Sequence, residues 1–123
     1  MSNIAEPLTE QLAKRLAELR PTLPANVRLI AVSKQIPVAA MRAAYDLGIR
    51  DFAESRVQEA ALKQAELTDW TDVTWHFIGR LQANKAAKAL DQFAWIHSLD
   101  SLALAQRLDK LAANRPNKPN CCL

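Results

Sequence analysis

Glycine is scarce in this chain. Of 123 residues only Gly48 and Gly79 are glycine, and that excludes the phosphate-cradling loops that need several, so neither G-x-G-x-x-G nor a P-loop can be written. Cysteine is equally rare. Cys121 and Cys122 are adjacent near the C-terminus, and neighbours in sequence rarely reach disulfide geometry, so they carry no information about an oxidising compartment. They also lack the paired spacing of a zinc site, and the two histidines, His76 and His97, are far apart in the chain. No metal is expected. No run of eighteen apolar residues occurs, and the opening M-S-N-I-A-E lacks the basic-then-apolar order of a secretory signal, so a cytoplasmic protein outside the membrane is expected. Nucleophile elbows and kinase-type loops are missing as well.

What is present describes a globular chain. Half of the residues are apolar and 24% are charged, and the net charge of +3 is spread over interleaved basic and acidic residues. Such a surface allows a mild preference for anions without demanding nucleic acid. Leu8, Leu12, Leu16 and Leu19 share one helix face, and Pro21 ends the run. R-L-I-A-V-S (Arg28 to Ser33) then reads as a strand buried on both faces and closed by Lys34.

The unit repeats. Val38, Met41 and Tyr45 mark a helix ending near Gly48, and Asp51 to Ala53 a second strand. Val57, Ala61 and Ala65 mark the next helix, and W-H-F-I (Trp75 to Ile78) the third strand. A weaker helix follows over 84–90, and Ala94 to His97 form a fourth strand. A last helix carries Leu104, Leu108 and Leu111, with Asp100 or Ser101 as its N-cap. Beyond N-R-P-N-K-P-N, a turn-rich link, Cys121, Cys122 and Leu123 read as the start of a fifth buried strand.

Short, even alternation of strand and helix means parallel βαβ units. Either a doubly wound nucleotide-binding sheet or a (β/α)8 TIM barrel satisfies it, and the missing glycine fingerprints favour the barrel. A whole barrel takes about 250 residues. The chain is therefore expected to be a single partial domain over 1–123, about four βα units of an α/β barrel, a fragment or truncated product.

Barrels of this class carry function at the C-terminal ends of their strands. Here these ends hold Lys34, Glu54 with Ser55, Gly79 with Arg80, and Ser98 with Asp100. A lysine in a barrel mouth is partly desolvated, which favours the neutral, nucleophilic amine that forms a Schiff base. The plainer reading is a strand-end lysine that snorkels to water. Gly79 to Lys85 (G-R-L-Q-A-N-K) either holds an anion or supplies an N-cap at Asn84 and a solvated basic face. His76, inside an apolar strand, reads first as a satisfied core residue and second as a functional one. Trp70, Trp75 and Trp95 read as packing residues.

Four segments in order, A-V-S-K (Ala31 to Lys34), D-F-A-E-S-R-V-Q-E (Asp51 to Glu59), W-H-F-I-G-R-L-Q-A-N-K (Trp75 to Lys85) and W-I-H-S-L-D-S (Trp95 to Ser101), resemble the motifs of the YggS/PROSC family, the pyridoxal phosphate homeostasis proteins. The resemblance implies a barrel of the alanine racemase N-terminal type. It further implies pyridoxal 5′-phosphate (PLP) as cofactor, held as a Schiff base on Lys34, with Ser55 and His76 as further cofactor-binding residues. Proteins of this kind are regarded as non-catalytic carriers acting in vitamin B6 homeostasis, with PLP-dependent enzymes as recipients. Three positions depart from the usual pattern: Ala53 stands for glycine, Ser55 for asparagine and Arg80 for histidine. The family's phosphate-gripping loops are implied to belong to the C-terminal half of its barrel. Two other readings stand beside the carrier: a PLP enzyme of the same barrel type, such as an amino-acid racemase, or a truncated product without cofactor.

Overall fold

The leucine stripe of the opening segment folds as a helix, α1 (Ala5–Leu19), and Pro21 sits in the 3-10 turn that follows (Arg20–Thr22). Leu12 and Leu16 pack inward, whereas Leu19 is exposed. The computed structural model describes residues 5–123, with side chains from Leu8 onward. No helix among these residues is long and apolar enough to cross a membrane.

Strand and helix then alternate: β1 (Ala31–Val32), α2 (Val38–Asp46), β2 (Asp51–Glu54), α3 (Val57–Glu66), β3 (Thr74–Phe77), α4 (Ala86–Gln92), β4 (Trp95–Ile96), α5 (Leu102–Ala112) and β5 (Asn120–Cys121). The five strands lie side by side in chain order, and every neighbouring pair is parallel. A doubly wound sheet reverses its order at a switch point. This sheet does not, so its topology is that of a barrel wall, with helices on the outside.

Strand parity divides the two faces. Phe52, Phe77 and Ile96 point to the helices and are almost completely buried. Phe52 joins Met41, Ile49, Leu67 and Trp70 in one apolar cluster, while Phe77 and Ile96 join Val57, Phe93, Leu104 and Leu108 in a second. The opposite, concave face carries Ala53, His76 and Trp95 in one register row. Gly48 ends α2 with φ +97°, a left-handed conformation that glycine adopts freely, and its N–H donates to Tyr45 O at 2.9 Å. Ser101 caps α5, its hydroxyl accepting from Leu104 N at 3.1 Å; of the two expected caps it is the one used.

Four local expectations are corrected. β1 is two residues long and Val32 is 52% exposed, because β1 lies at the sheet edge with only β2 beside it. β5 forms, but Cys121 and Leu123 are exposed, since β5 is the other edge strand. The buried face of α3 is Val57, Ala60 and Lys63, not Val57, Ala61 and Ala65; a helix rich in small alanines carries little amphipathic signal to fix its rotation. Asn84 supplies no cap, for neither the 3-10 turn Ala83–Lys85 nor α4 has a side-chain N-cap bond.

Candidate functional site at the strand C-termini

The register that pairs Val32 with Ala53 puts Lys34 and Ser55, each two residues further along its chain segment, at the C-terminal rim of the sheet. Ser33 N–H extends the ladder by donating to Ala53 O at 2.9 Å. Past that bond the chain turns, and Ile36 N–H closes the turn onto Ser33 O at 3.0 Å. Within it Gln35 has φ +60°, which is unfavourable for a residue with a Cβ and persists only where its surroundings fix it.

The surroundings do so with charge. Gln35 N–H donates to Glu59 Oε2 at 2.6 Å. Lys63 Nζ donates to Ser33 O at 2.5 Å, to Glu54 Oε2 at 2.9 Å and to Glu59 Oε2 at 2.9 Å. All three ammonium protons are thereby used. The Ser33 hydroxyl also bonds Glu54 Oε2. Glu54 is fully buried and Lys63 nearly so. The bond from Lys63, followed by that from Gln35 N–H, holds the Glu59 carboxyl below the ordinary carboxylate range. Sequence reasoning missed this cluster, although a signal existed. Glu54 shares the helix-facing parity of Phe52, and a carboxylate on an apolar strand face requires a partner.

Lys34 itself is exposed and has no hydrogen-bond or ion-pair partner among the described residues. The desolvation expected of a barrel mouth is not seen among the described residues, where Lys34 lies just past edge strand β1. Ser55 is half-buried and lines a groove of about 200 Å³ with Arg56, Phe77, Arg80, Gln82 and Lys85. The ends of β2 and β3 approach closely here, because Gly79 lies against the Ser55 backbone, where a Cβ would meet Ser55 O at 2.1 Å. The Ser98 hydroxyl donates to Gly79 O and ties the ends of β3 and β4 together.

His76 sits deeper, level with Ala53, and is buried. Its Nε2 meets Asp51 Oδ1 at 2.8 Å and its Nδ1 meets His97 Nε2 at 2.9 Å, while Trp95 stacks on its ring at 5.9 Å. In the tautomer that satisfies both contacts, Nε2–H donates to Asp51 Oδ1 and Nδ1 accepts from His97 Nε2–H. Arg28 extends the chain with an ion pair to Asp51 at 3.6 Å. Both ring nitrogens of His76 are therefore occupied by protein groups, and the ring lies below the rim that carries Lys34 and Ser55.

Burial, and next the neighbouring His76, pushes the His97 pKa below 6.5. A histidine whose folded pKa is depressed disfavours folding once the unfolded chain takes up the proton. Its contribution is intact above 6.5 and is lost as pH falls through that value toward the lower folded pKa. Glu59, also depressed, acts in the same direction further into acid, since its contribution is present above the unfolded carboxylate pKa and lost as pH falls through the folded one. Urea midpoints should decline as pH falls below neutrality, and His97→Gln should remove the upper part of the decline. A midpoint that rises on mild acidification contradicts this assignment.

The model of the alanine racemase N-terminal domain matches residues 9–123. The pyridoxal phosphate homeostasis protein of Synechocystis sp. is 54% identical over 96 residues, covering 78% of this chain and 44% of that protein. Its namesake in Pseudomonas aeruginosa is 44% identical over 125 residues, covering all of this chain and 54% of that protein. Among solved structures, PipY of Synechococcus elongatus with PLP bound superposes with a TM-score of 0.87 at 59% identity, over 90% of this chain and 52% of PipY. The chain thus spans about half the length of these relatives. A consecutive parallel sheet, the rim motifs and these likenesses agree: the chain belongs to the alanine racemase N-terminal domain family and is similar there to the pyridoxal phosphate homeostasis proteins.

Proposed function

We propose that this chain holds PLP as a Schiff base on Lys34 and serves intracellular PLP homeostasis as a carrier rather than an enzyme. The carrying observation is an amine without a protein partner, placed at a strand C-terminus on a turn whose backbone is fixed from both sides. The PLP-bound PipY structure and the homeostasis proteins among the relatives support the same reading.

The residues present fit the aldehyde end of the cofactor. Lys34 would hold the cofactor there, its Nζ forming a bond to the aldehyde carbon as the carbonyl oxygen leaves as water. Bound in this way, PLP supplies an electrophilic carbon–nitrogen bond and an electron-withdrawing ring. The carrier so proposed passes PLP to dependent enzymes in the cytoplasm. Ser55 belongs to the proposal as a hydroxyl on the same rim as Lys34, and His76 as a buried support through Trp95 and His97 on the concave face.

Titrating the chain with PLP should develop the yellow imine band with one saturable component, and Lys34→Ala should lose that component. An undiminished band in Lys34→Ala overturns the assignment. Racemisation of alanine by the PLP-loaded chain overturns the carrier reading.

A further inference from the structure

The turn that carries Lys34 is held by groups on another strand and another helix. Ser33 O, immediately before Lys34, accepts from Lys63 Nζ at 2.5 Å, and Gln35 N–H, immediately after it, donates to Glu59 Oε2 at 2.6 Å. Lys63 and Glu59 are one helical turn apart on α3 and paired with each other at 2.9 Å, and the buried Glu54 on β2 anchors Lys63. A left-handed Gln35 gains nothing from its own side chain in this turn. Among the described residues, Glu59 is the acceptor that holds its N–H.

The geometry points to Glu59 and Lys63 as positioning residues that clamp the Lys34 turn from both sides, so that the exposed amine keeps one orientation at the rim. This rests on the reading of Lys34 as the PLP-holding residue. Neither residue touches the amine itself; both act through the backbone on either side of it. Lys63 with Glu54 forms the buried, structural side of the clamp, while Glu59 forms the outer side, where the carboxylate is 24% exposed and its loss leaves the core packing in place.

Glu59→Ala removes the acceptor for Gln35 N–H, and Glu59→Gln keeps a carbonyl oxygen there. With limiting PLP followed by borohydride, the ratio of label at Lys34 to label at the other lysines of the same molecule reads out orientation, with the other lysines as internal control. The full chain should favour Lys34. In Glu59→Ala that ratio should fall about tenfold, the population shift expected from losing one charge-assisted hydrogen bond. Glu59→Gln should restore it to within about twofold. Amide exchange at Gln35 should quicken in Glu59→Ala and slow again in Glu59→Gln, with the circular dichroism spectrum unchanged. If Glu59→Ala fails to fold, Glu59→Asp, which shortens the reach and keeps the charge, should shift both readouts in the same direction.

An unchanged ratio in Glu59→Ala alongside a quickened Gln35 amide overturns the clamp and leaves Lys34 as the PLP residue. A Glu59→Gln ratio as low as that of alanine overturns the acceptor role of Glu59. A full chain that labels all its lysines evenly overturns the Lys34 reading, and the clamp with it.

Discussion

Replacing Lys63 with methionine is expected to destabilise the folded chain by about 3 to 5 kcal/mol, the cost of removing one partner from a buried ion pair. The reason lies in what remains. Glu54 is fully buried, its Oε1 has no hydrogen-bond partner among the described residues, and without Lys63 its Oε2 keeps only the Ser33 hydroxyl. A carboxylate in that position has lost its counter-charge, and Ser33 O has lost one of two donors. Replacing both members by apolar residues of similar volume removes the stranded charge, so Glu54→Leu combined with Lys63→Met should recover more than half of the loss. Urea unfolding of the two variants measures both terms. A single variant within about 1 kcal/mol of the unsubstituted chain would show that the pair is not buried as described.

The second large effect is expected at Gly79. An added Cβ lies 2.1 Å from Ser55 O, 2.7 Å from Ser55 C and 2.8 Å from Ser55 Cα, all backbone atoms that cannot rotate aside. Gly79→Ala therefore has to part the ends of β2 and β3. The ladder bond from Ile78 N–H to Glu54 O, 2.9 Å, and the bond from Ser98 to Gly79 O are the next to give way. A loss of about 3 kcal/mol is expected, at the upper end for overpacking because the obstacle is main chain. Since Ser55 and Lys34 both follow paired strands onto the same rim, Gly79→Ala should also weaken selective labelling of Lys34. Thermal unfolding and labelling together test this, and a variant of unchanged stability contradicts the close approach.

Much of the fold is legible in the sequence because alternation is local information. Apolar runs at even spacing, Pro21 after α1, Gly48 after α2 and Ser101 before α5 each announce themselves within a few residues. The choice of barrel over doubly wound sheet follows from absent glycine fingerprints, and the strand order bears it out. What was not legible is set by contacts across the chain. Glu54 and Lys63 belong to different elements, and neither neighbourhood says that both are buried. The rotation of α3 is not readable from sequence because Ala60, Ala61 and Ala65 differ in burial but not in character. Exposure of Val32, Lys34 and Cys121 depends on which strands lie at the sheet edges, and an apolar run alone does not reveal that.

The candidate site divides in the same way. The motif A-V-S-K singles out Lys34 from sequence, while the turn around it, with Gln35 in the left-handed region and Glu59 below, emerges only in three dimensions. His76 was a motif residue too, and the structure gives it partners, Asp51 and His97, that occupy both ring nitrogens. Arg80, Arg56 and Lys85 gather with Ser55 around one groove although they come from two loops.

The central claim is that Lys34, among the lysines of this chain, holds PLP. Mixing the intact chain with a stoichiometric amount of PLP, reducing with borohydride and mapping the phosphopyridoxyl group by peptide mass spectrometry tests it most directly. One dominant modified peptide, containing Lys34, is expected, with its loss in Lys34→Ala and no compensating site. Modification spread evenly over the lysines, or a dominant site elsewhere that persists in Lys34→Ala, would contradict it.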